Sequence, residues 1–409
     1  MPGALGVWLA DQRVGTITNI AGDYNIFAFE ESYVDGLARP VLSQSFIGPS
    51  GAPRRAIPRT HRVAPPFFAN LLPEEDTLLR SILARHNGIK RTRDFPFLRA
   101  LGSDLPGAVI VRDLMTEPPE EARDTASAPA AEETRPLQFS LAGVQLKFSA
   151  GVVAERVTIP VHGMGGSWIV KLPANAWPRL PENEFAMMSL ATKIGLDVPR
   201  VRLVGLDRVE GLPEDLPALR SDEPRVTYAI SRFDRLSDGS RVHVEDLNQV
   251  ADQPPAEKYE NKSTHWIANV VTTLCPSEDT DEFVRRLVFG ICIGNNDMHL
   301  KNWALIYPDG HNARLSPLYD YVCTRRYYPN AGLSLPVAGE RAFERIDRSV
   351  LRAFAQRAEL SPKRTLIVAD DLVTRLRETW TGFKDEIAEP ELAEALERQF
   401  AAVPLMHGR

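Results

Sequence analysis

Cysteine is scarce in this chain, and the little there is forms no recognisable framework. Cys275, Cys292 and Cys323 are odd in number and lack metal-site spacing, which excludes a disulfide scaffold and points to structural thiols in a reducing compartment. Long apolar runs are missing too. No eighteen consecutive apolar residues suggest a membrane span, and the opening Met1-Pro-Gly-Ala-Leu-Gly-Val-Trp-Leu-Ala-Asp11 lacks the basic flank and apolar core of a secretory signal. Cytoplasm is therefore the expected location, without a membrane partner. Excess positive charge is absent as well: the net charge is −6, which leaves only a local basic face for any contact with DNA. His243 and His299 have no second histidine or cysteine at coordinating spacing, so no zinc site is expected. There is no internal repeat.

What is present is an ordinary globular composition, 44% hydrophobic and 25% charged over 409 residues, enough for two or three domains. Residues 116–136 carry prolines and acids but no large apolar side chains, so they read as a linker that cannot fold alone. Residues 1–115 before it read as a small α/β unit. A hairpin is expected from Gly6–Leu9 and Arg13–Ile17 about Ala10-Asp-Gln12, with helices around Pro73 to His86 and Asp94 to Leu101. Residues 137–235 read as a mostly-β lobe. Gln138 to Ser149 has strand ends around a tight loop, Trp168 to Pro173 a second strand, and Val201–Val204 and Tyr228–Ser231 two more. From Glu182, a helix carries Met187, Leu190, Ala191 and Ile194 on one face and stops at Gly195. Residues 236–409 turn helical. Asp281 to Cys292 presents Phe283, Leu287 and Ile291 on one face, and Ser361-Pro362 supplies an N-cap and first helical residue.

The chemistry concentrates after that apolar helix. Asp297 and Asn302 stand five positions apart, as the Asp and Asn of a protein-kinase catalytic loop do. Asp320 follows a hairpin turned by Pro308-Asp-Gly310, which would set it back beside Asn302. Phosphoryl transfer needs a carboxylate for the attacking hydroxyl and hard oxygen ligands for Mg²⁺. Asp297 suits the first task, Asn302 with Asp320 the second. Taken alone an Asp/Asn-rich loop is more often a solvated turn; the ordered triplet between helix and hairpin singles this one out. In the smaller lobe Lys171 ends an apolar strand, and Glu184, thirteen residues on in the first turn of the next helix, is placed to orient it. A lone strand lysine is ordinarily a surface charge.

The chain resembles the HipA-type serine/threonine kinases, toxins of bacterial type II toxin–antitoxin pairs, over nearly its whole length. The resemblance is carried by Val7-Trp-Leu-Ala-Asp-Gln-Arg-Val-Gly15, Phe67-Phe-Ala-Asn-Leu-Leu-Pro-Glu74, Pro106-Gly-Ala-Val109, Ser140-Leu-Ala-Gly-Val-Gln-Leu-Lys147, Ile169-Val-Lys-Leu-Pro173, Asn183-Glu-Phe185, Ser231-Arg-Phe-Asp-Arg235 and Asp297-Met-His-Leu-Lys-Asn302. It implies an α+β, two-lobed protein-kinase-like fold, distantly similar to phosphoinositide kinases, with an N-terminal α/β subdomain and a mostly helical C-terminal lobe.

It further implies ATP and Mg²⁺ as cofactors. Ala142, Gly143, Val144, Gln145, Leu146 and Lys147 become the phosphate-covering loop. Ser231, Arg232 and Phe233 face adenine. Lys171, His299, Lys301, Asn302, Tyr319 and Asp320 join the nucleotide site, with Asn302 and Asp320 on the metal and Asp297 as the base. Leu146 and Ser231 stand where the family can carry acidic residues, and the loop has only Gly143. Ser140 matches the serine whose autophosphorylation silences the family; the alternative for a serine before a loop is a cap on a strand edge, and the match favours regulation. The implied partners are a helix-turn-helix DNA-binding antitoxin of HipB type, operator DNA mainly through that antitoxin, and a protein substrate of the aminoacyl-tRNA synthetase class, such as the glutamyl enzyme. Arg341, Arg345, Arg348 and Arg352 recur at helical spacing and Arg357 follows, with Glu344 and Asp347 interleaved, which favours a solvated, salt-bridged face. Two rivals stay open: a small-molecule or lipid kinase, and a catalytically silent corepressor.

Overall fold

The computed structural model describes residues 3–115, 145–153, 156–159, 166–213 and 216–408. The linker at 116–136, Ser140 and the loop residues Ala142, Gly143 and Val144 lie outside the described residues.

The expected first hairpin forms from β1 (Gly3–Leu9) and β2 (Gln12–Ile20), joined through Ala10-Asp11. With β3 (Tyr24–Phe29), β4 (Thr60–His61) and β5 (Val109–Asp113) it builds an antiparallel sheet of order β4-β3-β2-β1-β5. Against it lie α1 (Glu31–Val34), α2 (Pro66–Asn70), α3 (Leu78–His86) and α4 (Asp94–Leu101). The sequence predicts the third of these from Pro73; it starts later because the Thr77 hydroxyl accepts from Arg80 N at 3.2 Å and caps the first turn. Helix α2 drives Phe67 and Phe68, both wholly buried, against Phe46 and Phe27 at centroid distances of 5.5 and 4.8 Å. Each such ring contributes roughly 1.5–3 kcal/mol of burial, so Asn70 at the end of the helix is firmly placed.

The second sheet, of order β10-β7-β6-β8-β11-β9, comprises β6 (Lys147–Val153), β7 (Arg156–Thr158), β8 (Trp168–Lys171), β9 (Val201–Gly205), β10 (Val209–Glu210) and β11 (Val226–Ser231). Its period-two alternation divides two cores. Phe148, Ala150, Val170 and Ala229 pack with the N-terminal unit, whereas Tyr228 and Ile230 pack with α5 (Leu180–Lys193) and the helical lobe. Antiparallel pairing of β6 with β8 sets Lys147 directly opposite Lys171.

The third sheet, β12 (His243–Asp246), β13 (Ala304–Tyr307) and β14 (Arg314–Leu315), sits within the helical lobe of α6 (Leu247–Val250), α7 (Thr264–Leu274), α8 (Ser277–Ile293), α9 (Arg348–Arg357), α10 (Pro362–Phe383) and α11 (Pro390–Ala402). The stripe Phe283, Leu287 and Ile291 of α8 is buried as its spacing predicts. Gly294 ends α8 at φ +71°, and a Cβ there would lie 2.7 Å from the Arg325 side chain, so chain direction and packing both require glycine. Ser361 caps α10 as expected. The arginine series is corrected: Arg341 precedes a turn of 3₁₀ helix at Phe343–Arg345, and only Arg348, Arg352 and Arg357 share α9. Its ion pairs run outside the interleaved acids: Arg348 pairs with Asp370 and Arg345 lies 3.8 Å from Glu340, whereas Glu344 takes Arg325, outside the series, and Asp347 caps α9.

Buried polar contacts fasten the N-terminal unit to the rest. Glu245 accepts from Ser43 Oγ at 2.6 Å, Gln44 N at 3.1 Å and the Tyr307 hydroxyl. Arg232 donates to Asp234 and Asp104. No helix among the described residues is long and apolar enough to cross a membrane.

Candidate active site

The end of β8 delivers Lys171 to a cleft between the smaller and larger lobes. Its ammonium is 2.6 Å from Glu184 Oε1 and also bonds Asp320 Oδ1. Glu184 is 1% exposed, and because α5 begins at Leu180 it falls in the second turn rather than the first. Burial pushes the lysine pKa down, but the Asp320 and Glu184 carboxylates outweigh it and hold the ammonium charged. Asp320 responds in kind. Burial raises its pKa, Lys171 and Lys147 more than offset that, and the carboxyl stays below its usual range. Asp320 also adopts φ +59°, a left-handed backbone costing on the order of 1–3 kcal/mol in a non-glycine residue. The β13–β14 hairpin and the 2.9 Å bond from Ser316 N to Ala304 O return the chain here, as the turn chemistry predicted.

Across the cleft, the loop after Gly294 is tied to itself. Asp297 N donates to Asn295 Oδ1 at 3.0 Å, while Asp297 O accepts from His299 N and from Asn302 Nδ2, each at 2.8 Å. The amide nitrogen of Asn302 is thereby engaged. The Asp297 carboxylate accepts the Tyr259 hydroxyl at 2.7 Å. Burial raises its pKa and this bond lowers it, with burial the larger effect. His299 is pushed well below its ordinary value by burial and by Lys258 and Lys301, so the ring is neutral.

The cleft has a volume of about 600 Å³. Of the residues picked out in the sequence, Gln145, Lys147, Lys171, Glu184, Ser231, Arg232, Phe233, Asp297, His299, Lys301, Asn302, Tyr319 and Asp320 line it together. Phe233 and Tyr319 face one another at 5.8 Å. Leu146 instead packs toward the N-terminal core, its carbonyl accepting from Leu172 N. Three of the lining cations, Arg232, Lys301 and Lys258, are already engaged, the last by both Glu74 oxygens at 2.9 Å. Each guanidinium nitrogen of Arg232 has an acceptor among Asp234, Asp104 and Ser149. Lys301 Nζ donates to Asn70 O and Oδ1 at 3.1 and 3.0 Å. They shape the wall, and Lys171, itself paired with Glu184 and Asp320, stands there with Lys147 opposite it.

The sequence reading gave no role to Asn70, Glu74, Pro106, Gly107, Lys258 or Tyr259, yet all line the cleft. The stretches at Phe67–Glu74 and Pro106–Val109 did carry the resemblance. Nothing in their own chemistry marks Asn70 or Glu74 as facing a site assembled from residues far along the chain.

A nucleotide with its magnesium fits what is there. His299 Nδ1 and Asn295 Nδ2 are buried polar atoms without protein partners on the cleft wall, as groups awaiting a polar ligand are. Among the described residues no three His, Cys, Asp or Glu side chains gather as a metal cage. Asp320 and Asn302 offer two oxygens, which suits a hard cation that completes its shell with phosphate oxygens and water.

A small β lobe with a lysine–glutamate pair, facing a larger helical lobe with an Asp/Asn/Asp set, defines a two-lobed α+β fold of the protein-kinase type. The family is then unambiguous: residues 5–112 match the HipA N-terminal domain and residues 139–380 the HipA-like C-terminal domain, so the chain belongs to the HipA family. Y4dM of Sinorhizobium fredii is 42% identical over 391 residues, 94% of this chain and 92% of that protein. The serine/threonine-protein kinase toxin HipA of Shewanella oneidensis is 24% identical over 301 residues, 64% of this chain and 63% of its own. The solved complex of a Shewanella oneidensis HipA with HipB and operator DNA superposes with a TM-score of 0.73 at 19% identity, covering 99% of this chain and 96% of that one. It shows the same fold.

Proposed function

We propose that this chain is an ATP- and Mg²⁺-dependent protein serine/threonine kinase, acting in the cytoplasm as the growth-arresting toxin of a toxin–antitoxin pair. One observation carries the reading. The Lys171–Glu184 pair and the Asp297, Asn302 and Asp320 set, drawn from both lobes, line a single cleft.

In this reading Lys171, oriented by Glu184, and Lys147 beside it donate to the nucleotide phosphates. Asn302 and Asp320 hold the metal, and Ser231, Phe233 and Tyr319 form the base-binding end. Asp297 orients the acceptor hydroxyl and takes its proton, a role worth on the order of 10²–10⁴ in rate. Bound Mg²⁺–ATP supplies the phosphoryl group and neutralises its charge. Ser140 is the proposed site of silencing: a phosphate of roughly −1.5 to −2 charges, added just ahead of Leu141 to Lys147 in the sequence, would compete for the donors ATP uses.

A HipA that crystallises with HipB and operator DNA supports a helix-turn-helix antitoxin as partner here, with DNA reached mainly through it. The proposed target class is the aminoacyl-tRNA synthetases. Intact-mass analysis after incubation with Mg²⁺–ATP should show one added phosphate mapping to Ser140, and a phosphoproteome of expressing cells should show a phosphorylated synthetase. Turnover of ATP with a lipid or metabolite alone would overturn the protein-kinase reading.

A further inference from the structure

The proposed base is held by a residue outside the catalytic loop, and that residue is held in turn by the N-terminal unit. Tyr259 is 41% exposed, so its hydroxyl could be satisfied by water, yet it bonds Asp297 Oδ1 at 2.7 Å. Its ring is fixed on two sides. His299 meets it edge-on at 4.9 Å and the Lys258 ammonium stands 5.4 Å from its centroid. Lys258 is itself immobilised, 5% exposed, with Nζ 2.9 Å from both Glu74 oxygens and its carbonyl accepting from Leu300 N at 3.2 Å. Glu74 belongs to the N-terminal unit. A carboxylate turns easily about its terminal torsion, which is broad and two-fold. A single donor on Oδ1 therefore decides which way the other oxygen faces.

We propose that Tyr259 is a positioning residue for Asp297 and that Glu74, through Lys258, holds it in place, so the N-terminal unit forms part of the catalytic apparatus. This rests on Asp297 being the base. The alternative is that the tyrosine plugs the lone pair an acceptor hydroxyl needs; the two readings predict opposite effects.

The test uses the full chain. Tyr259→Phe should lower kcat about 10-fold, the effect of one hydrogen bond to a charged group, with KM for ATP and calorimetric ATP affinity unchanged. Glu74→Gln should lower kcat in the same direction and to a smaller extent. In an Asp297→Asn background Tyr259→Phe should cause no further loss of residual ATP turnover. In urea unfolding of the nucleotide-free protein the two changes should cost less together than the sum of each. A faster or unchanged Tyr259→Phe enzyme overturns the inference, as do a parallel fall in ATP affinity and a full additional loss in the Asp297→Asn background. If Asp297→Asn alone keeps full turnover, the assignment of the base falls and this inference with it. An inactive Asp297→Asn beside an unaffected Tyr259→Phe overturns this inference alone.

Discussion

Two buried ionic clusters flank the same β-sheet, built from the same kinds of residue, and only one of them faces a cavity with charge to spare. Around Arg232 the guanidinium is saturated: Asp234 takes a two-pronged contact, Arg235 adds to Asp234 and Asp104, and Gly107 N donates to Asp234 at 2.8 Å. Around Lys171 two lysines face Asp320, which sits in a strained backbone and shares the cleft with unpartnered polar atoms. Burial and charge alone therefore do not mark a catalytic site. The Arg232 cluster joins two units of the chain; the Lys171 cluster has donors left for a ligand.

The comparison can be broken at either end. Asp297→Asn preserves shape and removes a proton acceptor, so phosphoryl transfer should fall on the order of 10²–10⁴-fold with ATP affinity kept; steady-state kinetics with calorimetry decides this. Asp234→Ala should do the reverse. Leaving Arg232 and Arg235 buried without that carboxylate should cost about 3–5 kcal/mol of stability, read as a lowered urea midpoint.

Acid sharpens the same point. Burial would raise the Asp234 pKa, but Arg232 and Arg235 outweigh it and hold the carboxyl below its ordinary value of 3.8. Its contribution is therefore complete above that value and lost as pH falls below it. An Asp234→Asn protein should be less stable near neutrality and lose less on acidification to pH ~3.

Lys171→Ala should weaken Mg²⁺–ATP binding by about 10-fold or more, the scale of one charge-assisted contact, and, because it leaves Glu184 buried without its ammonium, should lower the urea midpoint as well. An unchanged titration would remove Lys171 from the nucleotide site. The smallest effect belongs to the arginine face: Arg345→Ala, whose partner Glu340 is 3.8 Å away and whose side chain is 76% exposed, should change stability by no more than ~0.5 kcal/mol.

Much of this site was legible from residue order because local rules govern its parts. The helix α8, its glycine stop, the five-residue spacing from Asp297 to Asn302 and the hairpin before Asp320 are all set by periodicity and turn chemistry within a short stretch. The Lys171–Glu184 pair likewise follows from a strand feeding the next helix. Arg232 shows the limit. The family resemblance implied an adenine-facing segment there, but Asp104, far back in the chain, engages its guanidinium. Helix bounds slipped for a similar reason, with Thr77 capping where Pro73 had suggested a start.

By itself the sequence determined the local elements, namely the strand that ends at Lys171, the helix that carries Glu184, the spacing of Asp297 and Asn302 and the hairpin before Asp320, because hydrophobic period, caps and turns act over a few residues, while the two-lobed kinase-type fold was legible through the family resemblance. Only the tertiary structure decided that the N-terminal unit reaches the cleft. Asn70 meets Lys301 and Glu74 meets Lys258 across more than 180 positions of chain. No local pattern encodes such pairings; they exist because two cores pack on opposite faces of one sheet and bring distant polar ends together.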